Sequence, residues 1–285
     1  METLCIYHNN CSDGFAAAWV VKHFYGEHVY FFPATYGDPP PDVTNKHVIL
    51  VDFSYPLEIM QGIVDASNST VVLDHHKTAE AACKNLVLRE QDKVVFDMER
   101  SGAGLAWRHF FGKQPAPGVL QRIEDRDLWR FSLPHTREVM AAVFSYPYAF
   151  DTYTALMRMG IDELVAEGTA IERKFQKDLA EIIPAKRRKL SIANQEVWAI
   201  NLPYTMASEA GDKLASDSSF SAVYQDDAEY RTFSLRSIEG GEDVSLIAKQ
   251  YGGGGHKHAS GFRVRLSEIQ QFEIQKSGNQ VEGGA

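Results

Sequence analysis

Four stretches of this chain place side chains that bind divalent cations or move protons where an expected strand or helix ends. His8 and Asp13 lie in His-Asn-Asn-Cys-Ser-Asp-Gly, just after Leu4-Cys5-Ile6-Tyr7. Asp52 follows Val48-Ile49-Leu50-Val51, and Asp74-His75-His76 follows Val71-Val72-Leu73. Asp125-Arg126-Asp127 closes the segment 119–124, which reads as a helix or a short strand. Carboxylates crowded into a water-poor crevice need cations to neutralise them. Asp and His donors without thiolates suit Mn²⁺, Mg²⁺ or Fe²⁺ better than a structural zinc, which favours cysteine. Two ions bridged by one aspartate would leave positions open for a hydroxide and for phosphoryl oxygens, the arrangement that supports in-line attack at phosphorus. A single Asp after a strand is ordinarily a turn or helix cap, and His76 alone could simply close a turn. Repetition of the same ligand set at successive strand ends is what that plainer reading leaves unexplained.

A second cluster is Gly252-Gly253-Gly254-Gly255-His256-Lys257-His258-Ala259-Ser260-Gly261-Phe262. Glycines let a backbone approach a ligand closely, and their N–H groups can cradle an anion. His256 and Lys257 add donors and charge. A flexible glycine loop after a helix would account for one or two of these glycines but not for the flanking His-Lys-His-Ala-Ser-Gly. Arg236, on the polar side of the preceding strand, offers a fork for a phosphate. Phosphate-binding P-loops, nucleophile elbows, His-Glu-x-x-His and dinucleotide fingerprints are absent from the sequence.

The elements that must position these groups alternate in type. Unbroken apolar runs ending at Tyr7, Val51 and Leu73 read as strands buried on both faces. Segments 29–32 and 93–96 are further strands. Helices are expected over 14–24 and 57–66, and from an N-cap at Ser101 to Phe111. This rhythm predicts an α/β fold, a mostly parallel doubly wound sheet with helices on both faces. The carboxyl ends of such strands share one edge, where ligands bind. From 136 to 183 the pattern is helical without strands, then Pro184 precedes Lys186-Arg187-Arg188-Lys189, read as a solvated helix face. Strands follow near 197–201, 219–224 and 233–237, with a helix over 208–215 and another capped by Asp243 or Ser245. The expected division is a metal-binding domain over 1–160, a helical connector over 161–195, a smaller α/β domain over 196–270 and a flexible tail over 271–285.

Composition narrows the functional classes. The 285 residues are 44% hydrophobic and 24% charged, ordinary for a globular protein, with a net charge of −9. That charge argues against coating of long duplex nucleic acid, which wants an extended basic track. No apolar run is long enough to cross a bilayer, and no secretory signal is visible, so no membrane partner is expected. Three cysteines without paired spacing (Cys5, Cys11, Cys83) fit a reducing, cytoplasmic setting.

Together these motifs resemble the DHH phosphoesterase superfamily, in its RecJ-like and nano-RNase branch with a DHH-associated C-terminal domain. Asp74-His75-His76 is similar to the eponymous motif, His8 to Gly14 to the first, Asp52 to the second and Asp125-Arg126-Asp127 to the fourth. The segment from Gly252 to Gly261, with Ser234-Leu235-Arg236-Ser237 upstream, resembles the signature of the C-terminal domain. The resemblance implies two Mn²⁺ ions bridged by Asp52, with Mg²⁺ or another divalent ion as substitute. Asp13, His75 and Asp127 would complete one metal site and His8 would hold the other. His76, with Asp52 and Asp13, would be catalytic, His76 meeting the scissile phosphate or the attacking water. Arg236, Gly253, Gly254, Gly255, His256 and His258 would grip the substrate from a domain facing the metals across a cleft. The implied activity is hydrolysis of short oligonucleotides to mononucleotides, by a chain that can form homodimers. Alternatives are a nucleotide phosphatase, a cyclic-dinucleotide phosphodiesterase, or a non-catalytic nucleotide-binding protein. The pattern departs from the family at Cys11, where the first motif usually has an aspartate, and Asp125 competes with Asp127 for the ligand role.

Overall fold

The structure is a computed structural model that describes residues 2–274. In chain order the first part runs β1 (Thr3–His8), α1 (Ser12–Tyr25), β2 (Val29–Ala34), β3 (His47–Val51), α2 (Leu57–Ala66), β4 (Ser69–Asp74), α3 (Lys77–Cys83) and β5 (Lys93–Phe96). Helices α4 (Gly102–Phe111), α5 (Gly118–Asp127), α6 (Thr136–Phe144), α7 (Phe150–Leu156) and α8 (Ile161–Lys186) follow without a strand. The second part contains β6 (Arg188–Ile192), β7 (Gln195–Asn201), α9 (Ala207–Ala215), β8 (Ser221–Asp226), β9 (Tyr230–Arg236), α10 (Val244–Gln250), β10 (Gly254–Gly255) and β11 (Ala259–Arg265). By internal contacts the chain divides after Gln176, within α8, into two compact units.

The first unit holds a five-stranded sheet in the order β2-β1-β3-β4-β5. Every pair in it is parallel. Alternate residues of its inner strands serve two different cores. Cys5, Ile49, Val51 and Leu73 pack with residues of α1, α4 and the later helices, while Leu4, Ile6, Val48, Leu50 and Val72 pack with Met60 and Ile63 of α2. Both faces of each strand are therefore apolar, which is why period-two alternation is missing from the sequence. Strand order reverses direction between β1 and β3, so the crevice beyond their carboxyl ends lies at a topological switch point. His8 ends β1 and Asp52 directly follows β3.

The second unit is a six-stranded sheet in the order β10-β11-β9-β8-β7-β6, antiparallel except for the β7–β8 pair, which α9 connects. One core gathers Leu190, Val197, Phe233, Leu235, Phe262 and Phe272 with α10. Along β9 the burial alternates strictly, with Arg231, Phe233 and Leu235 inside.

Three local expectations differ from what is observed. Helix α8 continues through Pro184 to Lys186. The run 186–189 is not a helix face. Arg188 and Lys189 belong to β6, where Arg188 pairs with Glu273 and both Arg187 and Lys189 lie 4.2 Å over the Trp198 ring. The connector expected over 161–195 is thus helical only to Lys186, because strand pairing with β7 captures most of the rest. Of the tail expected from 271, Phe272 is buried in the second core, and 275–285 lie outside the described residues.

Candidate metal centre

The carboxyl edge of the parallel sheet gathers His8, Asp13, Asp52, His75, His76 and Asp127. Two donor trios, His8 with Asp52 and His76, and Asp13 with Asp52 and His75, each have their ligand atoms within 4.8 Å of one another. Asp52 is common to both. His75 Nε2 stands 3.0 Å from Asp52 Oδ1, 3.5 Å from Asp127 Oδ2 and 4.0 Å from Asp13 Oδ2. His8 Nδ1 lies 3.6 Å from Asp52 Oδ2, beyond hydrogen-bonding reach.

Each donor has an identifiable support. Asp52 adopts φ +54°, a left-handed conformation that Asp tolerates better than most residues, while its N–H still bonds to Leu73 O at 2.9 Å. The strand thus ends with the carboxylate turned off the sheet edge. Asp13 sits in the first turn of α1, fully buried, and accepts the Ala103 N–H from the N-terminus of α4. Asp74 is an orienting group. Its Oδ1 accepts the N–H groups of His75 and His76 and lies 2.7 Å from His76 Nδ1, while Oδ2 accepts the Ser54 hydroxyl. Such carboxylate–imidazole pairs fix the orientation of ligating histidines.

Two glycines set how closely these pieces approach. A Cβ on Gly14 would lie 2.5 Å from His8 O and 3.1 Å from Asp52 Oδ2. A Cβ on Gly102 would lie 2.4 Å from Asp52 Cβ and 2.9 Å from Asp13 Oδ2. Gly102, the Ala103 amide and Tyr36 are missing from the residues singled out by sequence, and for Asp74 the sequence pointed to the motif but not to its role in orienting His76. The N-cap at Ser101, whose side chain accepts the Gly104 N–H, was the signal available for α4.

Asp125 and Asp127 separate cleanly. Asp125 spends both oxygens on Ser132 N and Oγ, Leu133 N and Thr136 Oγ1, pinning the loop after α5. Asp127, the last residue of α5, turns toward His75. Cys11 is not part of either donor trio. Burial, then the carboxylates of Asp52, Asp127 and Asp13, push its thiol pKa well up and keep it protonated.

Electrostatically the cluster is short of cations. Burial, then Asp127 and Asp52, raise the Asp13 carboxyl well above its ordinary range. Burial raises Asp127 as well, with Asp52 adding to it. Asp52 is held well below its ordinary value, burial being outweighed by its contacts with His75 and His8. Burial disfavours charge on His75, but the Asp52 hydrogen bond and the charges of Asp127, Asp52 and Asp13 overcome it and lift its pKa to about 10. His76 is raised too, as the Asp74 charge and hydrogen bond outweigh burial. His8 Nδ1, Asp52 Oδ2 and Asp127 Oδ2 are buried with no hydrogen-bond partner among the described residues. Buried polar atoms are otherwise almost always satisfied, so unpartnered ligand atoms within a cluster of Asp and His side chains fit a divalent cation. These residues form a buried Asp/His cluster able to hold metal.

In the second unit the glycine segment is an ordered hairpin. Gly254 and Gly255 pair with Gly261 and Ser260, and Cβ atoms on Gly253 and Gly255 would come within 2.0 Å of Gly261 O and 2.6 Å of Ala259 O. Close chain-to-chain packing therefore accounts for these two glycines. His256 N–H bonds to Ala259 O, and His258 Nδ1 lies 2.9 Å from Ser237 Oγ. Arg236 donates to Leu235 O and Ser208 Oγ, its stem resting where Gly211 of α9 leaves room. No helix among the described residues is long and apolar enough to cross a membrane.

No protein-family profile matches the chain. An uncharacterized protein of Acanthamoeba polyphaga mimivirus is 31% identical over 288 aligned positions, covering 90% of this chain. The chain spans 66% of that relative's length, just under two thirds. Among solved structures, a pGpG-specific phosphodiesterase from Vibrio cholerae aligns at TM-score 0.49 and 15% identity, over 95% of this chain and 96% of that one. An exopolyphosphatase-related protein from Bacteroides fragilis aligns at TM-score 0.42 and 16% identity, over 91% and 86%. An uncharacterized Helicobacter pylori protein aligns at 0.38 and 14%, over 93% of each chain.

Proposed function

We propose that the first unit is a divalent-metal phosphoesterase, with Mn²⁺ as its ion, that hydrolyses short oligonucleotides to mononucleotides. The observation that carries this reading is Asp52, a buried carboxylate shared by two donor trios with one oxygen lacking a hydrogen-bond partner. Asp52 would bridge two ions, Asp13, His75 and Asp127 would complete one site, and His8 would hold the other. Ions so held supply Lewis-acid polarisation of a phosphoryl oxygen and make a bound water acidic. The chain's own part is to arrive ordered. Asp74 holds the His76 imidazole through Nδ1 and its charge raises the ring's pKa, so the imidazole would meet the scissile phosphate without further ordering. Asp13 is kept in place by the α4 amide, and Asp52 by the Leu73 carbonyl. Arg236, Gly253, Gly254, Gly255, His256 and His258 of the second unit would serve as substrate-binding residues. Acidic net charge supports short substrates over long duplexes.

The test is Mn²⁺-dependent release of mononucleotides from a dinucleotide, run beside cyclic dinucleotides and pyrophosphate. Asp52→Asn and His75→Ala should fall to background while keeping a wild-type circular dichroism spectrum. Most of the activity surviving in either variant, or retention of nucleotide by the wild type without turnover, would overturn the assignment.

A further inference from the structure

Tyr36 is a half-exposed aromatic ring, 51% accessible, standing over the donor cluster. Its ring centroid lies 5.4 Å from that of His8 at a 68° interplanar angle, and 6.2 Å from His76 at 76°. Beneath it, Phe53 is fully buried, with centroids 4.6 Å apart and planes tilted by only 34°. One side of the tyrosine thus rests on the core, two imidazoles stand nearly perpendicular to its ring, and about half of its surface stays accessible.

Its position is built in. Thr35 to Asp38 form a β-turn closed by Asp38 N–H to Thr35 O at 3.1 Å, with Gly37 at φ +98° in the third position. A positive φ there is what a type II turn demands, and it is why glycine follows the tyrosine. Asn9 N–H bonds to Ala34 O at 2.9 Å and Asn9 Nδ2 lies 3.5 Å from Thr35 Oγ1. The turn is therefore clamped to the loop that follows His8. An exposed tyrosine that served only to cover Phe53 would need neither this clamp nor its place beside two of the metal-ligand candidates.

We infer that Tyr36 is the stacking platform for the nucleobase of the nucleotide whose phosphate enters the metal centre, and so a specificity-determining residue for base-bearing phosphoesters. This rests on the functional reading above. Bases stack on aromatic faces with little regard to sequence, which suits a substrate class defined as short oligonucleotides of any composition. The hydroxyl is dispensable in this role and the flat ring is not.

The experiment uses the full chain with Mn²⁺ and two probes, adenosine monophosphate and ribose 5-phosphate, titrated calorimetrically, with dinucleotide hydrolysis measured in parallel. Tyr36→Phe should bind adenosine monophosphate within about twofold of wild type. Tyr36→Ala and Tyr36→Leu should bind it about 5- to 150-fold more weakly, the range that loss of one stacked base implies. Ribose 5-phosphate affinity should be unchanged in all three. Equal weakening for both probes, or no weakening for adenosine monophosphate, overturns the stacking role. If the wild type hydrolyses dinucleotide normally while this pattern fails, only the role of Tyr36 falls. If the wild type neither hydrolyses dinucleotide nor binds either probe, the phosphoesterase reading falls and takes this inference with it.

Discussion

Gly102→Ala tests the geometry of the centre without touching a single donor. The added Cβ would sit 2.4 Å from Asp52 Cβ and 2.9 Å from both Asp52 Cα and Asp13 Oδ2. Ordinary carbon contacts begin near 3.5 Å, so Asp52 and the first turn of α4 must separate by about 1 Å. No rotamer change can relieve this, because one clashing atom is Asp52 Cα and the residue is 1% exposed. Overpacking of this kind costs about 1–3 kcal/mol of folding stability. A shift of about 1 Å in the shared carboxylate should lower turnover about 100-fold. A matched control is Gly62→Ala, in the middle of α2, where a new Cβ meets nothing within 4 Å. That change should stabilise by about 0.5–1 kcal/mol and leave activity alone. Urea unfolding gives the stability difference, and calorimetric Mn²⁺ titration with the dinucleotide assay gives the functional one. Gly102→Ala binding Mn²⁺ like wild type and unfolding no earlier than Gly62→Ala would refute the close packing of α4 against the centre.

Three further predictions concern neighbouring carboxylates and protons. Asp125→Asn removes a charged acceptor of four hydrogen bonds and should cost about 1.5–3 kcal/mol while Mn²⁺ affinity holds. Burial works to raise the Asp125 carboxyl, but its hydrogen bonds outweigh that and hold it below its ordinary value, so its stabilisation is present above the unfolded pKa and fades as pH falls through the folded one. Asp127 is raised by burial, so its ionised form costs stability at neutral pH, and Asp127→Asn should leave the metal-free protein as stable or more so while weakening Mn²⁺ binding. Urea midpoints at two pH values check both variants. Separately, His75 carries a proton at neutral pH because its pKa is raised to about 10. A metal can use its imidazole only after displacing that proton, so Mn²⁺ affinity should rise from pH 6 to 8 with measurable proton release. Titrations in buffers of different ionisation enthalpy would expose a pH-independent affinity, which would exclude His75 as a ligand.

The parallel sheet was legible because unbroken apolar runs have one economical explanation, strands feeding cores on both faces. Once that sheet is granted, the polar residues directly after each run must share an edge, and His8, Asp52, Asp74 and His75 converge for that reason. The support at Ser101 was also local, since a helix cap is written in the residues themselves. Other roles depend on contacts across space. Asp13 meets the α4 amide 90 residues away, and nothing near Gly102 announces the aspartate pressed against it. The fate of Asp125 hangs on how the loop 128–133 folds back over α5. The basic run at 186–189 reads as solvated helix because charge carries no record of strand pairing or of Trp198 beneath it. Sequence alone determined which chemistry the strand ends could hold, since residue type and the period of burial are local properties. Only tertiary structure decided which donors meet and which are spent on loops, because approach distance is set by residues remote in the chain.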